Sequence, residues 1–313
     1  MTTQPGNNKI IFDYVISHKN CSDGQCAAWI AKKFGPVDEC TKYIELEAGK
    51  PVSLTDFNFK NTDILMLDIM VSNIFELSRE ALFIKVIDHH ITNKASIDLI
   101  QSSSVLNIEL IYDVDRCGTE LTWDEYAKSR NIKFIGTSYP WFINVIADRD
   151  LWRWSHDFSK ELGKFLFVNS KYDNFDDLME WNQEQINHAI REGKKLLETD
   201  KKTIDWMVNS AIPATLSIPG FTYKVMITSG NGMFFSEVGD ILSKKEDCDI
   251  AAMWKYDLKT DEWWISLRSS DKGDGELVNV GKIAKHFNGG GHAKASGFTI
   301  KGGNGIRSVF NIC

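Results

Sequence analysis

Short apolar runs alternate with helix-like segments throughout the first half of the chain. Each run is long enough for one strand of a buried sheet, and each following segment suits a helix. The strand-like runs cover residues 10–17, 42–46, 63–69, 82–87 and 105–112, and the helix-like segments cover residues 24–35, 73–82 and 119–130. Strands that alternate with helices in this way form parallel sheets covered by helices. The sequence therefore predicts an α/β fold with a mostly parallel N-terminal sheet flanked by helices.

The character of the chain changes after about residue 176. Residues 176–209 are polar and contain no proline, which predicts one or two long helices, and the two prolines of residues 211–220 interrupt helical structure. Beyond them, strand-like runs cover residues 221–228, 249–257 and 262–268, and helix-like segments cover residues 235–244 and 279–287. We therefore predict an N-terminal domain over residues 1–180, a helical linker over residues 181–215, and a smaller C-terminal α/β domain over residues 216–313.

Length, charge and cysteine spacing exclude several classes of protein. A chain of 313 residues is long enough for two domains, and its net charge of −7 argues against a binder of long duplex nucleic acid. Its six cysteines form no CxxC pair, which argues against a zinc ribbon or a disulfide framework. The chain has neither an apolar run of about 18 residues nor the apolar stretch of a secretory signal at its start. We expect a cytoplasmic protein without a membrane partner.

Potential metal ligands follow three of the predicted strands and one further apolar run. They are His18 and Asp23 after the first run, Asp68 near the end of another, Asp88, His89 and His90 after residues 82–87, and Asp148 and Asp150 within residues 142–152. Because the carboxyl ends of adjacent parallel strands share one crevice, we expect side chains from these ends to converge. Taken singly, each could instead be a polar strand end, and Asp148 and Asp150 could pair with Arg149 and Arg153.

Converging aspartates and histidines support catalysis with two divalent cations. A bridging carboxylate and terminal ligands can hold two ions about 3.5–4 Å apart, which activates water and neutralises phosphate oxygens. Hard carboxylate oxygens with a few imidazoles favour Mn²⁺ or Mg²⁺.

A second candidate site lies near the C-terminus, in the sequence HFNGGGHAKASGF over residues 286–298. Gly289, Gly290 and Gly291 allow unusual backbone conformations whose N–H groups can bind an anion, and His292 follows them. Upstream, Arg268 and Ser269 suit bidentate phosphate recognition. The alternatives are a glycine-rich turn and an exposed arginine at a strand end.

Five motifs together resemble the DHH superfamily of phosphoesterases, in the branch with a DHH-associated C-terminal domain. The motifs are HKNCSDG (18–24), LMLDIM (65–70), IDHH (87–90), ADRDLW (147–152) and GGGHAKASG (289–297), and they occur in the family order across most of the chain. The resemblance implies a parallel-sheet domain with a di-manganese centre, a linker, and a C-terminal domain that binds substrate.

The resemblance also implies a reaction. Family members include enzymes that trim very short RNAs, bisphosphonucleotide phosphatases, cyclic-dinucleotide phosphodiesterases, single-strand exonucleases and polyphosphatases. We therefore expect Mn²⁺-dependent hydrolysis, with Mg²⁺ or Co²⁺ as substitutes, of a small nucleotide or a short single-stranded oligonucleotide, which includes 3′-5′ exoribonuclease action on short RNA. A homodimer is compatible with this expectation. The alternatives are an exopolyphosphatase or pyrophosphatase-like hydrolase and a nucleotide-binding protein that has lost catalysis.

By resemblance, the candidate residues have separate roles. Asp68 corresponds to the bridging carboxylate, His18 to a ligand of the first ion, and Asp23, His89 and Asp148 to the shell of the second, with Asp150 as the alternative to Asp148. His90 would face the phosphate and Asp88 would orient the imidazoles. The residues that resemble the family's substrate-binding set are Arg268, Ser269, Gly289, Gly290, Gly291 and His292.

The first motif departs from the family pattern at one position. Many members carry two aspartates two positions apart in this loop, whereas here Cys21 stands two residues before Asp23. Because a thiolate is a poor ligand for Mn²⁺, the first ion could be weakly bound, of another element, or absent. The sequence therefore leaves open whether one ion or two are bound, with Cys21 as a further candidate ligand.

Overall fold

The computed structural model describes residues 10–103, 107–130, 139–171, 174–273, 277–302 and 305–312. The chain divides into two compact units, Met1–Leu196 and Leu197–Cys313. The boundary lies within one helix, Gln183–Asn209, which occupies most of the predicted linker. The division into three parts, with a linker over residues 181–215, remains a prediction.

The first unit is built on a five-stranded parallel sheet. Its strands are β1 (Tyr14–His18), β2 (Lys42–Leu46), β3 (Asp63–Leu67), β4 (Phe83–Asp88) and β5 (Ile108–Tyr112), in the order β2-β1-β3-β4-β5. Its helices are α1 (Ser22–Phe34), α2 (Ile74–Glu80), α3 (Lys94–Ser102), α4 (Gly118–Tyr126), α5 (Trp141–Asp150), α6 (Ser159–Val168), α7 (Phe175–Met179) and the first part of α8 (Gln183–Asn209). The predicted parallel α/β architecture is confirmed, although residues 105–106 of the last strand-like run lie outside the described residues.

The three central strands of this sheet, β1, β3 and β4, are buried on both faces, as their continuous apolar runs predict. In β3, Ile64 and Met66 pack in the core cluster that includes residues of α2 and α3, whereas Leu65 and Leu67 pack with residues of α1 and α4. Lys85 is a charged residue in the middle of β4, and it forms ion pairs with Glu109 and Glu125.

The apolar run at residues 142–147 is not a strand, although the sequence groups it with the strand ends. It forms helix α5, of which Phe142 to Asp148 are all buried. A helix that is apolar on every side loses the 3.6-residue pattern that distinguishes it from a buried strand.

The second unit contains a seven-stranded mixed sheet. Its strands are β6 (Ile212–Ile218), β7 (Phe221–Ser229), β8 (Ile250–Asp257), β9 (Glu262–Arg268), β10 (Gly290–Gly291), β11 (Ala295–Lys301) and β12 (Phe310–Ile312), in the order β10-β11-β9-β8-β7-β6-β12. Only β7 and β8 pair in parallel among these strands. Helices α9 (Phe235–Ser243) and α10 (Val280–His286) pack on the sheet. This is the expected smaller α/β unit, and β6 forms despite Pro213.

No helix within the described ranges is both long and apolar enough to cross a membrane.

Gly193 sets the approach of α8 to α6 in the first unit. A Cβ atom at this position would lie 2.0 Å from the carbonyl oxygen of Glu161, so the two helices require a residue without a side chain here. Alanine normally favours a helix over glycine by about 1 kcal/mol. We predict that Gly193→Ala instead lowers the free energy of unfolding by about 1–3 kcal/mol, because the helices must separate. Urea denaturation measures this change.

Lys194→Ala provides the matched control, since Lys194 is exposed in the same helix turn. Its effect should stay within about 0.5 kcal/mol. A stabilising effect of Gly193→Ala would show that the close approach of α6 and α8 is not required.

Candidate metal centre

The candidate centre lies where the strand order of the parallel sheet reverses. The chain passes from β1 outward to β2 and then returns to β3 on the other side of β1. His18 is the last residue of β1, Asp68 directly follows β3, and Asp88 is the last residue of β4. The carboxyl ends of the strands beside such a switch point form the usual ligand crevice of an open α/β sheet. The structure therefore brings together the three strand-end groups of the sequence.

Asp68 is the centre of the hydrogen-bond network. Its Oδ2 lies 3.1 Å from His18 Nδ1, and its Oδ1 lies 3.0 Å from His89 Nε2. The backbone at Asp68 has a φ of 58°, a left-handed conformation that is uncommon for residues other than glycine. One fully buried carboxylate thus faces two imidazoles, one with each oxygen.

Asp23 is held by the start of α4. Its Oδ2 and Oδ1 accept hydrogen bonds of 2.7 Å from the backbone N–H groups of Gly118 and Thr119. The Thr119 hydroxyl donates to the carbonyl oxygen of Asp23 at 2.9 Å. First-turn N–H groups have no partner within their own helix, and the helix dipole favours a negative charge there. This arrangement fixes Asp23 with its Oδ2 3.6 Å from His89 Nε2.

Gly118 allows this contact because it has no side chain. A Cβ atom at this position would lie 2.7 Å from the Cβ of Asp68 and 3.2 Å from Oδ2 of Asp23. The sequence gives no sign that the start of α4, about 95 residues away, supports the first motif. Asn93, whose side chain donates to Oδ2 of Asp88 at 2.8 Å, likewise has no signature in the sequence.

Asp88 contacts the backbone of both histidines of the DHH triplet and the imidazole of His90. Its Oδ1 accepts from the backbone N–H groups of His89 and His90 at 2.8 and 3.2 Å and lies 2.7 Å from His90 Nδ1. All three residues are buried. This carboxylate is therefore occupied by local hydrogen bonds, and the imidazole that it contacts directly is that of His90. An orienting role for Asp88 remains a prediction.

The structure separates the two aspartates of α5. Oδ2 of Asp150 lies 3.5 Å from His89 Nε2, and Asp23, His89 and Asp150 each offer a ligand atom within 4.8 Å of the others. The Asp148 carboxylate instead accepts three hydrogen bonds of 2.7 Å, from the hydroxyl groups of Ser155 and Ser159 and the backbone N–H of His156. Asp148, which the preceding apolar run favours as a ligand, thus fixes the loop after α5, and Asp150 faces the centre.

Cys21 lies close to both His18 and Asp68. His18, Cys21 and Asp68 form a second group whose potential ligand atoms lie within 4.8 Å of one another. Cys21 is the N-cap residue of α1, and Gly24 in the first turn packs so closely that a Cβ atom there would lie 2.8 Å from the Cβ of His18. The loop after β1 therefore positions both His18 and Cys21 toward Asp68.

Histidines are the only basic side chains among the described residues that pair with the carboxylates of the centre. Within the described residues, none of the carboxylates of Asp23, Asp68, Asp88 and Asp150 forms an ion pair with a lysine or arginine. Burial, followed by repulsion from Asp68 and Asp150, raises the pKa of Asp23 well above its usual range. Burial also raises the pKa of Asp150, and the charge of His89 offsets only part of this increase. Buried carboxylates with raised pKa values are suited to binding cations.

The pKa values of two imidazoles are also raised, although burial acts on them in the opposite sense. Burial alone would lower the pKa of His89, but its hydrogen bond to Asp68 and the charges of Asp150, Asp68 and Asp23 raise it to about 10. Burial likewise lowers the pKa of His90, whereas Asp88 raises it to about 9.

Although burial raises the pKa of Asp68, the hydrogen bonds from His18 and His89 hold it well below its usual range. Burial, reinforced by Asp68, raises the pKa of the Cys21 thiol.

The donor set fits divalent metal ions. Oδ2 of Asp150 is buried and accepts no hydrogen bond from the described residues. Two groups of three ligand atoms, His18–Cys21–Asp68 and Asp23–His89–Asp150, could each hold an ion, and Asp68 faces both. A bound cation would supply the positive charge that the surrounding protein lacks.

The glycines of the second motif have structural roles in the second unit. A Cβ atom at Gly289 would lie 2.1 Å from the carbonyl oxygen of Gly297, and one at Gly291, where φ is 131°, would lie 2.6 Å from that of Ala295. The N–H of Gly289 donates to Ala284, and the N–H of His292 donates to Ala295. Gly290 is exposed, with open space at its Cβ position. The motif therefore forms a tight β10–β11 hairpin in which one of the expected anion-binding N–H groups, that of Gly289, is already bonded.

Arg268 and Ser269 are held in different ways. The Arg268 guanidinium donates to the hydroxyl groups of Ser266 and Ser236 at 2.8 and 3.1 Å. Burial lowers the pKa of Arg268 to about 10, partly offset by Glu237, so the side chain is cationic at neutral pH. The Ser269 hydroxyl donates to the carbonyl oxygen of Val278 at 2.7 Å and connects β9 to the segment before α10. Arg268 thus has the chemistry of an anion-binding residue, and Ser269 has a structural partner.

Comparison with known proteins gives one similar sequence and several similar folds. No protein-family model matches the chain. It is 27% identical over 315 aligned positions to the uncharacterized protein R106 of Acanthamoeba polyphaga mimivirus, covering 94% of this chain and 69% of that protein.

Solved structures that resemble the fold share little sequence with it. A pGpG-specific phosphodiesterase from Vibrio cholerae is 12% identical, with a TM-score of 0.43 and coverage of 93% of both chains. A putative family II inorganic pyrophosphatase from Methanococcus jannaschii is 13% identical, with a TM-score of 0.31 and 96% of both chains covered. RecJ of Thermus thermophilus, solved with Mn²⁺, is 12% identical, with a TM-score of 0.45 over 94% of this chain and 50% of that one.

Metal-free protein should lose stability as the pH rises from 7 to 10. The folded-state pKa values of His89 and His90, about 10 and about 9, exceed the ordinary value of 6.5, so the folded state retains more protons in this range. The stabilising contribution is complete below pH 6.5 and is lost as the pH passes through these folded-state values, so the free energy of unfolding falls. Urea denaturation in the presence of a chelator measures this pH dependence.

Asp68→Asn should flatten this pH dependence, because it removes the carboxylate that holds the His89 proton. Asp124→Asn is the control, since Asp124 contacts Arg116 and Lys128 rather than an imidazole. An unchanged pH dependence in Asp68→Asn would argue against the coupling between Asp68 and the histidines.

Proposed function

We propose that this protein is a hydrolase of phosphoester bonds that uses divalent metal ions, with Mn²⁺ in at least one site. The observation that carries the proposal is the meeting of Asp23, Asp68, Asp150, His18 and His89 at the carboxyl edge of the parallel sheet. The order of the sequence motifs supports it independently.

We assign one ligand group to Asp23, His89 and Asp150, and the other to His18, Asp68 and Cys21. Asp150 replaces Asp148 in the proposed set, because the oxygens of Asp148 are engaged by Ser155, Ser159 and His156. When bound, the ions would lower the pKa of a water molecule and neutralise phosphate oxygens. Asp68 would keep both ions at a fixed separation, since its two oxygens face the two groups.

His90 is the candidate for contact with the phosphate and for proton donation to the leaving group. Asp88 fixes its ring through Nδ1, and in the metal-free protein Asp88 raises the pKa of the imidazole to about 9, which favours the protonated form. A protonated imidazole can donate to a phosphate oxygen and then transfer its proton to the departing alkoxide. Asp88 is itself fixed by two backbone N–H groups and Asn93, so it acts by positioning His90.

The proposed substrates are small nucleotidic phosphoesters, such as short oligonucleotides, bisphosphonucleotides or cyclic dinucleotides. The net charge of −7 supports a small substrate over a long duplex. The cationic Arg268, oriented by Ser236 and Ser266, is the candidate phosphate-binding residue of the second unit, and His292 stays a candidate by resemblance. A polyphosphatase or pyrophosphatase-like activity is the second candidate, since metal ions can activate water for attack on phosphorus in phosphoesters and in phosphoanhydrides alike.

Removal of Asp68 tests the proposed chemistry. Chelator-treated protein should be inactive, and Mn²⁺ should restore hydrolysis of an RNA dinucleotide and of bis(p-nitrophenyl) phosphate. Asp68→Asn should lower kcat by more than the roughly 10–100-fold that loss of an outer hydrogen-bond partner costs, because both ion sites lose a ligand. Steady-state kinetics with each substrate, with pyrophosphate and polyphosphate alongside, measure the loss.

Asp124→Asn should retain wild-type kinetics in this assay. Tight nucleotide binding without turnover in Mn²⁺, Mg²⁺ or Co²⁺ would contradict the hydrolase and favour a nucleotide-binding protein. Turnover of pyrophosphate or polyphosphate alone would select the second candidate.

Two variants in α5 separate a ligand from a structural aspartate. Asp150→Asn should weaken Mn²⁺ binding at least about tenfold, because it removes a charged ligand oxygen while conserving shape. Asp148→Asn should leave the affinity near that of the wild type but lower the free energy of unfolding, since its hydrogen bonds to Ser155 and Ser159 lose their charge. Calorimetric titration and urea denaturation give the two quantities, and the reverse pattern would identify Asp148 as the ligand.

A further inference from the structure

The two proposed ligand groups differ in the softness of their donors. Asp23–His89–Asp150 offers two carboxylates and an imidazole, whereas His18–Cys21–Asp68 offers an imidazole, a sulfur and a carboxylate. Carboxylate oxygens suit Mn²⁺ and Mg²⁺, and thiolate sulfur selects softer ions such as Zn²⁺. The two groups are therefore built for different ions.

Cys21 is set apart from the other described cysteines by its surroundings. Cys26, Cys117 and Cys248 are buried and Cys40 is exposed, and within the described residues none of them belongs to a group of potential metal ligands. Cys21 is partly buried at the N-cap of α1, three residues after His18 at the end of β1. The turn between β1 and α1 thus carries two ligands of one group on a rigid scaffold.

Asp68 is a member of one of the two groups and contacts a histidine of the other. Its Oδ2 faces His18, in the group that contains sulfur, and its Oδ1 faces His89, in the group rich in carboxylates. An imidazole, a thiolate and one carboxylate oxygen are all common zinc ligands, and three protein ligands leave a position open, as in catalytic zinc sites.

We infer that the centre is a mixed-metal site in which His18, Cys21 and Asp68 bind a thiophilic ion of the Zn²⁺ type, while Asp23, His89 and Asp150 bind Mn²⁺. This inference rests on the proposed function, because it assigns the identity of the ions at the same centre. Divalent-ion affinity rises from Mn²⁺ to Co²⁺ and is higher for Zn²⁺ than for Mn²⁺, so the sulfur-containing group should reject Mn²⁺ whenever Zn²⁺ is present.

Cobalt spectroscopy tests for the metal–sulfur bond directly. Metal-free full-length protein is titrated with Co²⁺, and a sulfur-to-cobalt charge-transfer band should grow in the near ultraviolet. The band should disappear in Cys21→Asp and Cys21→Ser and persist in Cys40→Ser, the matched control at an exposed cysteine. Circular dichroism confirms that each variant is folded.

Metal content gives a second readout. After equilibration with one equivalent of Zn²⁺ per chain and an excess of Mn²⁺, followed by desalting, elemental analysis should find one of each ion per wild-type chain. Cys21→Asp, with its hard ligand, should shift the content toward two Mn²⁺. Two Mn²⁺ and no Zn²⁺ in the wild type, with no charge-transfer band, would overturn the inference.

A labelling experiment on the unaltered protein covers the case in which Cys21 variants fail to fold. Zn²⁺ should slow alkylation of Cys21 by about tenfold or more, because a metal-bound thiolate is shielded, while Cys40 reacts at an unchanged rate. Equal alkylation of Cys21 with and without Zn²⁺, read by peptide mass spectrometry, would contradict the inference.

If calorimetry detects no binding of Mn²⁺, Zn²⁺ or Co²⁺ at all, the proposed function fails. Bound ions without sulfur coordination refute only the mixed-metal site.

Discussion

The contact between Asp68 and two histidines is the interaction on which the candidate centre depends. Each oxygen of this buried carboxylate faces an imidazole from a different strand end, His18 from β1 and His89 from the segment after β4. The positive φ at Asp68 turns the chain immediately after β3, and the absence of a side chain at Gly118 leaves room for the turn. A local backbone conformation thus places a charge between strands that are far apart in sequence.

Burial of so much negative charge is costly, and backbone hydrogen bonds offset part of this cost. Asp23 and Asp88 accept hydrogen bonds from backbone N–H groups, which compensate charge without adding a basic side chain. Asp150 has no such compensation, since its Oδ2 lacks a hydrogen-bond donor among the described residues. The raised pKa values of Asp23 and Asp150 and of the nearby imidazoles express the same imbalance, which protons relieve in the metal-free protein and cations would relieve in the bound one.

The sequence predicts the strands of the first unit well because short apolar runs between helix-like segments are typical of a sheet covered on both faces. From their ends it also predicts the meeting of His18, Asp68 and His89. It cannot predict the supporting contacts, since the N–H groups of Gly118 and Thr119 carry no sequence signature and act across about 95 residues. In the second unit, four strands escape prediction. Strand β6 contains a proline, β10 consists of two glycines and β12 spans three residues, and β11 begins within the glycine-rich motif of residues 286–298.

The two aspartates of α5 show how the secondary structure of one segment decides which side chain faces the centre. In a strand, residues two positions apart project from the same face, so either aspartate could reach the crevice. The apolar run that precedes them then favours Asp148. In a helix each residue advances by about 100°, and residues two apart do not face each other. The helical conformation of residues 141–150 therefore sends Asp150 toward His89 and Asp148 toward the serines of the following loop. The helix therefore decides which aspartate faces the centre, and the three hydrogen bonds to Asp148 fix the loop that follows the helix.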